Sequence, residues 1–190
     1  MHDMEGSTEG FWSRARSLVA IAFACVLLAP IGPVFFPTRE APFRADVILV
    51  LGPASDSRLL FAERLIDAGY SDTLLISAAV SGPGRTPLIE QFCAKTRPFT
   101  VHCQQAEPFT TQGEIGWLER SASGQGWNTA LVVTETTHVQ RTRLYADRCF
   151  SGHARVLSDE TPLSSLELPY EYAYETAGFL KAALVSRGCA

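Results

Sequence analysis

The chain has 190 residues, 46% of them hydrophobic, and its 16 Lys/Arg against 20 Asp/Glu give a formal charge of −4. It holds no basic cluster, so it lacks the electropositive footprint of nucleic-acid binding, and no nucleic-acid partner is expected. Outside one long apolar run, roughly 150 residues remain, the usual size of a single domain with one core.

That run, Leu18 to Phe36 (LVAIAFACVLLAPIGPVFF), contains 19 residues and no charged side chain. A bilayer core is about 30 Å thick, and about 20 apolar residues in a helix cross it. Arg14 and Arg16 precede the run, and positive residues tend to stay cytoplasmic. Arg39 and Arg44 after it, with Asp3, Glu5 and Glu9 before it, dilute that asymmetry. The chain therefore divides into a cytoplasmic tail (1–17), a transmembrane anchor (18–36), a proline-bearing linker (37–45) and an extracytoplasmic domain (46–190). This implies a single-pass plasma-membrane protein. Two rival readings are a cleaved signal peptide, for which Pro30 to Pro37 offers no Ala-x-Ala-like site, and a buried core helix.

After the linker, Asp46 to Leu51 (DVILVL) is a continuous apolar run ending at Gly52, as expected of a strand buried on both faces. Ser57 to Ala68 carries Leu59, Ala62, Leu65 and Ile66 at helical spacing, with Gly69 as the stop. Thr73 to Ser77 is the second strand. A Gly/Pro loop covers Ala78 to Arg85, and Pro87 suits the first turn of a helix running to about Thr96. Phe99 to Cys103 is the third strand, followed by a helix from near Gln112 to Ala122. Ala130 to Thr134 is the fourth strand, leading into a helix from Thr137 to Cys149. Ala154 to Leu157 is a short fifth strand, and a closing helix runs from Pro169 to Ser186. This alternation predicts an α/β fold, a three-layer Rossmann-like parallel sheet of five strands.

Of five cysteines, Cys25 lies in the apolar run and four lie beyond it. In an oxidising compartment an even set suggests two disulfides. Cys93 ends a helix and Cys103 the next strand; Cys149 ends a helix and Cys189 lies one residue from the chain end. The favoured pairs are Cys93–Cys103 and Cys149–Cys189, against the alternative of four buried thiols. The chain has no Cys-x-x-Cys or His-Glu-x-x-His spacing, so neither a metal nor a cofactor is expected.

In parallel α/β sheets, ligands sit at the carboxyl ends of the strands where strand order reverses. Gly52-Pro53-Ala54-Ser55-Asp56-Ser57-Arg58 follows the first strand and is not a phosphate-binding glycine loop. Asp56 is a candidate cap for the helix, while Arg58 sits in its first turn, where a cation suits a bound anion or simply faces solvent. Thr111-x-x-Glu114 fits a capping box; the functional alternative makes Glu114 a rim carboxylate that binds a hydroxyl or acts as general base. After the fourth strand, Thr134-Glu135-Thr136-Thr137-His138-Val139-Gln140-Arg141 places His138 and Arg141 on one helical face near its N-terminus. Histidine, arginine and free backbone amides make an anion pocket there, and His138 can transfer a proton.

Together, DVILVLG, Arg58 with Ala62, Leu65 and Gly69, LLIS, TTQGE at Thr110 to Glu114 and VVTETTHVQR at Val132 to Arg141 resemble the YdcF-like family. That family includes SanA- and ElyC-type envelope proteins, many of them single-span with the domain outside the cytoplasm. The resemblance covers roughly residues 45–160. It implies a Rossmann-like core and a site of Arg58, Thr111, Glu114, Thr134, His138 and Arg141, with envelope or wall-precursor metabolism as the setting. Two loops depart from the family pattern: Gly52-Pro53 replaces a glycine pair, and Ser77-Ala78-Ala79 replaces Ser-Gly-Gly.

Two functions follow as expectations. The first is a hydrolase- or transferase-like enzyme on a phosphorylated or nucleotide-like envelope substrate, either a small molecule or lipid-linked. In it Arg58 and Arg141 hold the anion, with Thr111 and Thr134 lining the pocket. His138 moves a proton, and Glu114 positions water or a hydroxyl. The second is a non-catalytic module that binds such a ligand or stabilises an envelope assembly.

Overall fold

A computed structural model describes residues 5–82, 84–94 and 96–190. Residues 1–4 of the expected tail (Asp3 included), Pro83 of the Gly/Pro loop and Lys95 near the expected helix end lie outside the described residues. The apolar runs form strands β1 (Val47–Val50), β2 (Thr73–Ser77), β3 (Thr100–Gln104), β4 (Thr129–Thr134) and β5 (His153–Ser158). They make one five-stranded, all-parallel sheet in the order β3-β2-β1-β4-β5. The helices are α1 (Glu5–Leu28), α2 (Ile31–Phe35), α3 (Asp56–Asp67), α4 (Pro87–Ala94), α5 (Thr111–Gln125), α6 (Val139–Cys149) and α7 (Leu168–Leu184).

Alternate residues of a strand point to opposite faces, and both faces of β1 are covered. Val47 and Leu49 pack with Ile115, Leu118, Val139 and Ala146 of α5 and α6. Ile48 and Val50 pack with Leu59, Ala62, Ile89 and Phe92 of α3 and α4. Residues 47–50 of β1 are fully buried, which is why this strand reads as an unbroken apolar run. Successive strands run outward from β1 in one direction to β3 and in the other from β4 to β5. The order therefore reverses between β1 and β4, the position at which α/β sheets of this kind bind ligands beyond the strand carboxyl ends.

The N-terminal apolar run is not one straight helix. Proline lacks an N–H and clashes with the preceding turn; here α1 ends at Leu28, a turn at Ala29 and Pro30 follows, and α2 begins. Arg16–Phe35 is long and apolar enough to cross a membrane, and only 6% of it is buried. That exposure argues against the core-helix alternative. At its far end α2 turns back onto the domain, packing against α6 and α7 and burying Val34.

Residues 37–45 do more than connect. β5 is an edge strand, whose outward amides need partners. Glu40 supplies one by accepting from the Val156 N–H at 2.8 Å, and it also accepts from Arg143 Nε at 3.3 Å. Arg143 Nη2 donates to the Thr38 carbonyl at 2.5 Å, and Arg155 Nη1 to the Ala41 carbonyl at 2.7 Å. The segment is a strap along the sheet edge. A Glu40→Ala variant should therefore lose about 1–3 kcal/mol, the desolvation penalty of an orphaned buried donor. At roughly 2–4 °C per kcal/mol, thermal unfolding will register it; an unchanged midpoint would mean that the strap contributes nothing to stability.

The disulfides Cys93–Cys103 and Cys149–Cys189 join the expected partners, and Cys25 is free and exposed. One capping assignment changes. Ser55, rather than Asp56, caps α3 by accepting from the Arg58 N–H at 3.4 Å. Asp56 is the first helical residue and accepts from the Thr86 hydroxyl at 2.6 Å.

Candidate anion-binding site

Arg58 does not point into solvent. Its side chain is 8% exposed and folds over the β1–α3 turn, where Nη1 donates to the Leu51 carbonyl at 2.9 Å and Nε to Ser55 Oγ at 3.2 Å. Across that turn lies Glu114, on the first turn of α5. The capping box expected from Thr111 and Glu114 does not form. Thr110 is the cap, accepting from the Gly113 N–H at 3.3 Å, and Thr111 is the first helical residue.

Glu114 instead reaches back to β1, where its Oε1 accepts from the Gly52 N–H at 2.6 Å. The approach demands glycine at position 52, since a Cβ there would lie 2.5 Å from the Ser77 carbonyl oxygen and 2.8 Å from the Phe109 ring. Glu114 is 2% exposed. Burial pushes its carboxyl above the usual range, against the opposing pull of the Ser77 hydroxyl, the Gly52 amide and the charges of Arg58 and His138. Thr134 is buried at the last position of β4, and its carbonyl accepts from the Asp159 N–H at 3.0 Å.

A short 3-10 turn, Thr136–His138, leads from β4 into α6. It presents His138 between two carboxylates: Nδ1 lies 2.5 Å from Glu135 Oε1, and Nε2 lies 2.6 Å from Glu175 Oε1. Arg141 Nη2 donates to the same Glu175 oxygen at 2.8 Å. Burial alone would lower the His138 pKa, but Glu135 and Glu175 outweigh it and push it up to about 9. Burial raises the Glu135 carboxyl, and its bond to His138, with the charges of Arg58 and Arg141, more than reverses that. The Arg141 guanidinium also sits 5.3 Å from the Tyr174 ring centroid. Gly178 leaves room for it, since a Cβ there would be 3.0 Å from Arg141 Nη1.

The charges of Arg58 and His138 act on Glu114, and those of His138, Arg58 and Arg141 act on Glu135. Arg58 and Glu114 bond to the turn after β1, His138 and Arg141 meet at Glu175, and among the described residues the two pairs are linked by charge alone, felt at Glu114 and Glu135. Thr111 and Thr134 flank them by position, with no side-chain bond to these charges among the described residues. The groups missed by sequence reasoning are Glu135 and Glu175. Glu135 lies inside the junction motif itself. Glu175 lies on α7 with Gly178 and Ala182 at i+3 and i+7, a stripe of small residues that lets a helix approach closely. A carboxylate heading such a stripe is the signal that could have found it.

Glu135, His138 and Glu171 bring potential ligand atoms within 4.8 Å of one another. Their chemistry fits an ion-pair network better than a metal centre. His138 already pairs with Glu135 and Glu175, and the charges of Arg58 and Arg141 also act on Glu135, so these groups balance one another without an added cation. Burial and the charge of Glu135 raise the Glu171 carboxyl, which accepts from the Thr137 hydroxyl at 3.4 Å. In comparisons with known proteins, no family model, no curated protein and no solved structure matches this chain.

Proposed function

We propose that this chain is a membrane-anchored, extracytoplasmic protein that takes an anionic envelope metabolite, phosphorylated or nucleotide-like, at the β1/β4 crevice. The observation that carries the reading is the convergence of His138 and Arg141 on one oxygen of Glu175. A cationic imidazole and a guanidinium meeting at one carboxylate oxygen form the contact that a phosphate or carboxylate oxygen of a ligand makes. Glu175 is then an internal stand-in that the ligand displaces. Arg141 Nε is buried with no hydrogen-bond partner among the described residues, which leaves a donor for such a ligand. Two disulfides and the apolar N-terminal helix support placement outside the cytoplasm, and the resemblance to YdcF-like envelope proteins points the same way.

In a catalytic cycle water or an acceptor hydroxyl attacks the phosphorus, the bond to the leaving oxygen breaks, and His138, protonated at neutral pH, donates its proton to that oxygen. A second reading, a non-catalytic binding module, draws on Glu114. Its carboxyl is engaged by the Gly52 amide and buried, so Glu114 is not presented as a base to a water nucleophile. Thermal unfolding of the full chain in detergent with inorganic pyrophosphate or a nucleoside diphosphate tests both readings. Ligand at 100 times its Kd adds about 2.7 kcal/mol of stability, so the midpoint should rise in the wild type and stay put in Arg141→Gln. No rise with either anion, or an equal rise in the variant, would refute the site.

A further inference from the structure

We propose that a groove beside the charged cluster holds the hydrocarbon chain of a membrane lipid, which makes the site's ligand a lipid-linked anion. The groove has a volume of about 770 Å³, within the roughly 300–1,000 Å³ of small-molecule sites. Its lining is mostly apolar and includes Phe35, Phe36, Phe61, Val139, Leu163 and Leu168.

Three observations select a lipid over a soluble occupant. First, Phe35 and Phe36 are the last residues of the apolar run, so the groove is walled by the segment that leaves the bilayer. Second, the Tyr172 hydroxyl donates to the Leu27 carbonyl of α1, and its ring stacks on Phe35 with centroids 6.3 Å apart. These contacts hold α7 against the apolar run midway along residues 18–36, and α7 exposes Tyr170, Tyr174, Phe179 and Leu180, a largely apolar surface suited to lipid contact. Third, Thr136 and Val139 line the groove and bracket His138 in the chain. The β4–α6 junction is therefore a wall shared with the charged cluster. A chain lying in the groove keeps its head beside that junction, where an anionic head meets His138 and Arg141.

This inference rests on the anchored, anion-binding reading, and photo-crosslinking separates the two. The full chain is reconstituted in lipid nanodiscs containing phosphatidylglycerol with a diazirine in its acyl chain, and labelled peptides are mapped by mass spectrometry. Labels are expected at Phe61 and at Leu163 to Leu168, besides the membrane helix. Leu163→Trp, which fills the groove from a half-exposed position, should lower them severalfold. Leu163→Ala, which leaves the groove open, should keep them and controls for misfolding. Labels confined to residues 17–36, or unaltered by Leu163→Trp, would overturn the groove while leaving the anchor intact. Protein that stays in the aqueous phase and takes no label anywhere would overturn the anchor and the groove together. Equal groove labelling by the phosphatidylcholine analogue would sever the link to an anionic head.

Discussion

Raising the pH from 6.5 to 9 should remove about 3 kcal/mol of folding stability, and a His138→Gln variant should not show that loss. Against the lowering effect of burial, Glu135 and Glu175 push the His138 pKa up from the ordinary 6.5 to about 9, and each tenfold gain in proton affinity corresponds to about 1.4 kcal/mol. Because the folded value is the higher one, the stabilisation is complete below pH 6.5 and disappears as pH climbs through 9. The ring is 21% exposed, so solvent screens little of this. Glu135, whose folded pKa is lowered, loses its contribution only as pH falls through the carboxylate range, outside this window. At pH 6 the substitution itself should be severe. It leaves Glu135 and Glu175 without the cation between them, and breaking such a buried pair costs about 3–5 kcal/mol. Urea unfolding of the full chain in detergent at pH 6, 7.5 and 9 reads both effects. Parallel pH profiles for wild type and variant would disprove the clamp.

Removing the Cys149–Cys189 bridge with paired alanines should lower stability by about 4 kcal/mol, the chain-entropy value for a loop of roughly 40 residues. The shorter Cys93–Cys103 loop, with a separation of 10, should contribute about 3 kcal/mol by the same relation. The larger effect has a functional side, because the bridge fixes the end of the chain that carries α7. Neighbouring contacts help to hold that end. Gln112 Nε2 donates to the Gly188 carbonyl at 2.6 Å, and Arg148 Nη1 donates to the Ala182 carbonyl at 3.0 Å. With the bridge gone, α7 holds Glu175 over His138 and Arg141 less firmly, and cleavage after Leu184 by added protease should accelerate. A midpoint drop of roughly 10 °C is expected. A drop of one or two degrees, with unchanged proteolysis, would show that α7 is held by packing alone.

The parts of the fold legible in the sequence are those set by local pattern. Continuous apolar runs such as DVILVL mark strands covered on both faces, and strand–helix alternation requires a parallel sheet. The disulfide pairing follows from which elements end near which cysteines. What escapes depends on partners far away in the chain. Thr110 and Thr111 carry the same hydroxyl, so local sequence does not choose between them as cap. The long-range bond from Gly52 to Glu114 takes Glu114 away from the box. Residues 37–45 read as a tether because their polar groups find partners more than 100 positions later, on α6 and β5. The small-residue stripe behind Glu175 marks α7 as closely packed, but its partners stay hidden for the same reason. Nothing within α7 says that His138 and Arg141, 34 or more residues earlier, lie beneath it. The break at Ala29 and Pro30 is legible in the prolines, but the docking of α2 onto α6 and α7 is not.

The most direct measurement is a titration of the His138 ring in the full-length protein, following the imidazole resonances by NMR and assigning them with His138→Gln. An imidazole held between Glu135 and Glu175 stays protonated past pH 8 and titrates near 9, and it moves down when Glu175 is replaced by glutamine. A ring that titrates near 6.5, indifferent to Glu175→Gln, would contradict the account.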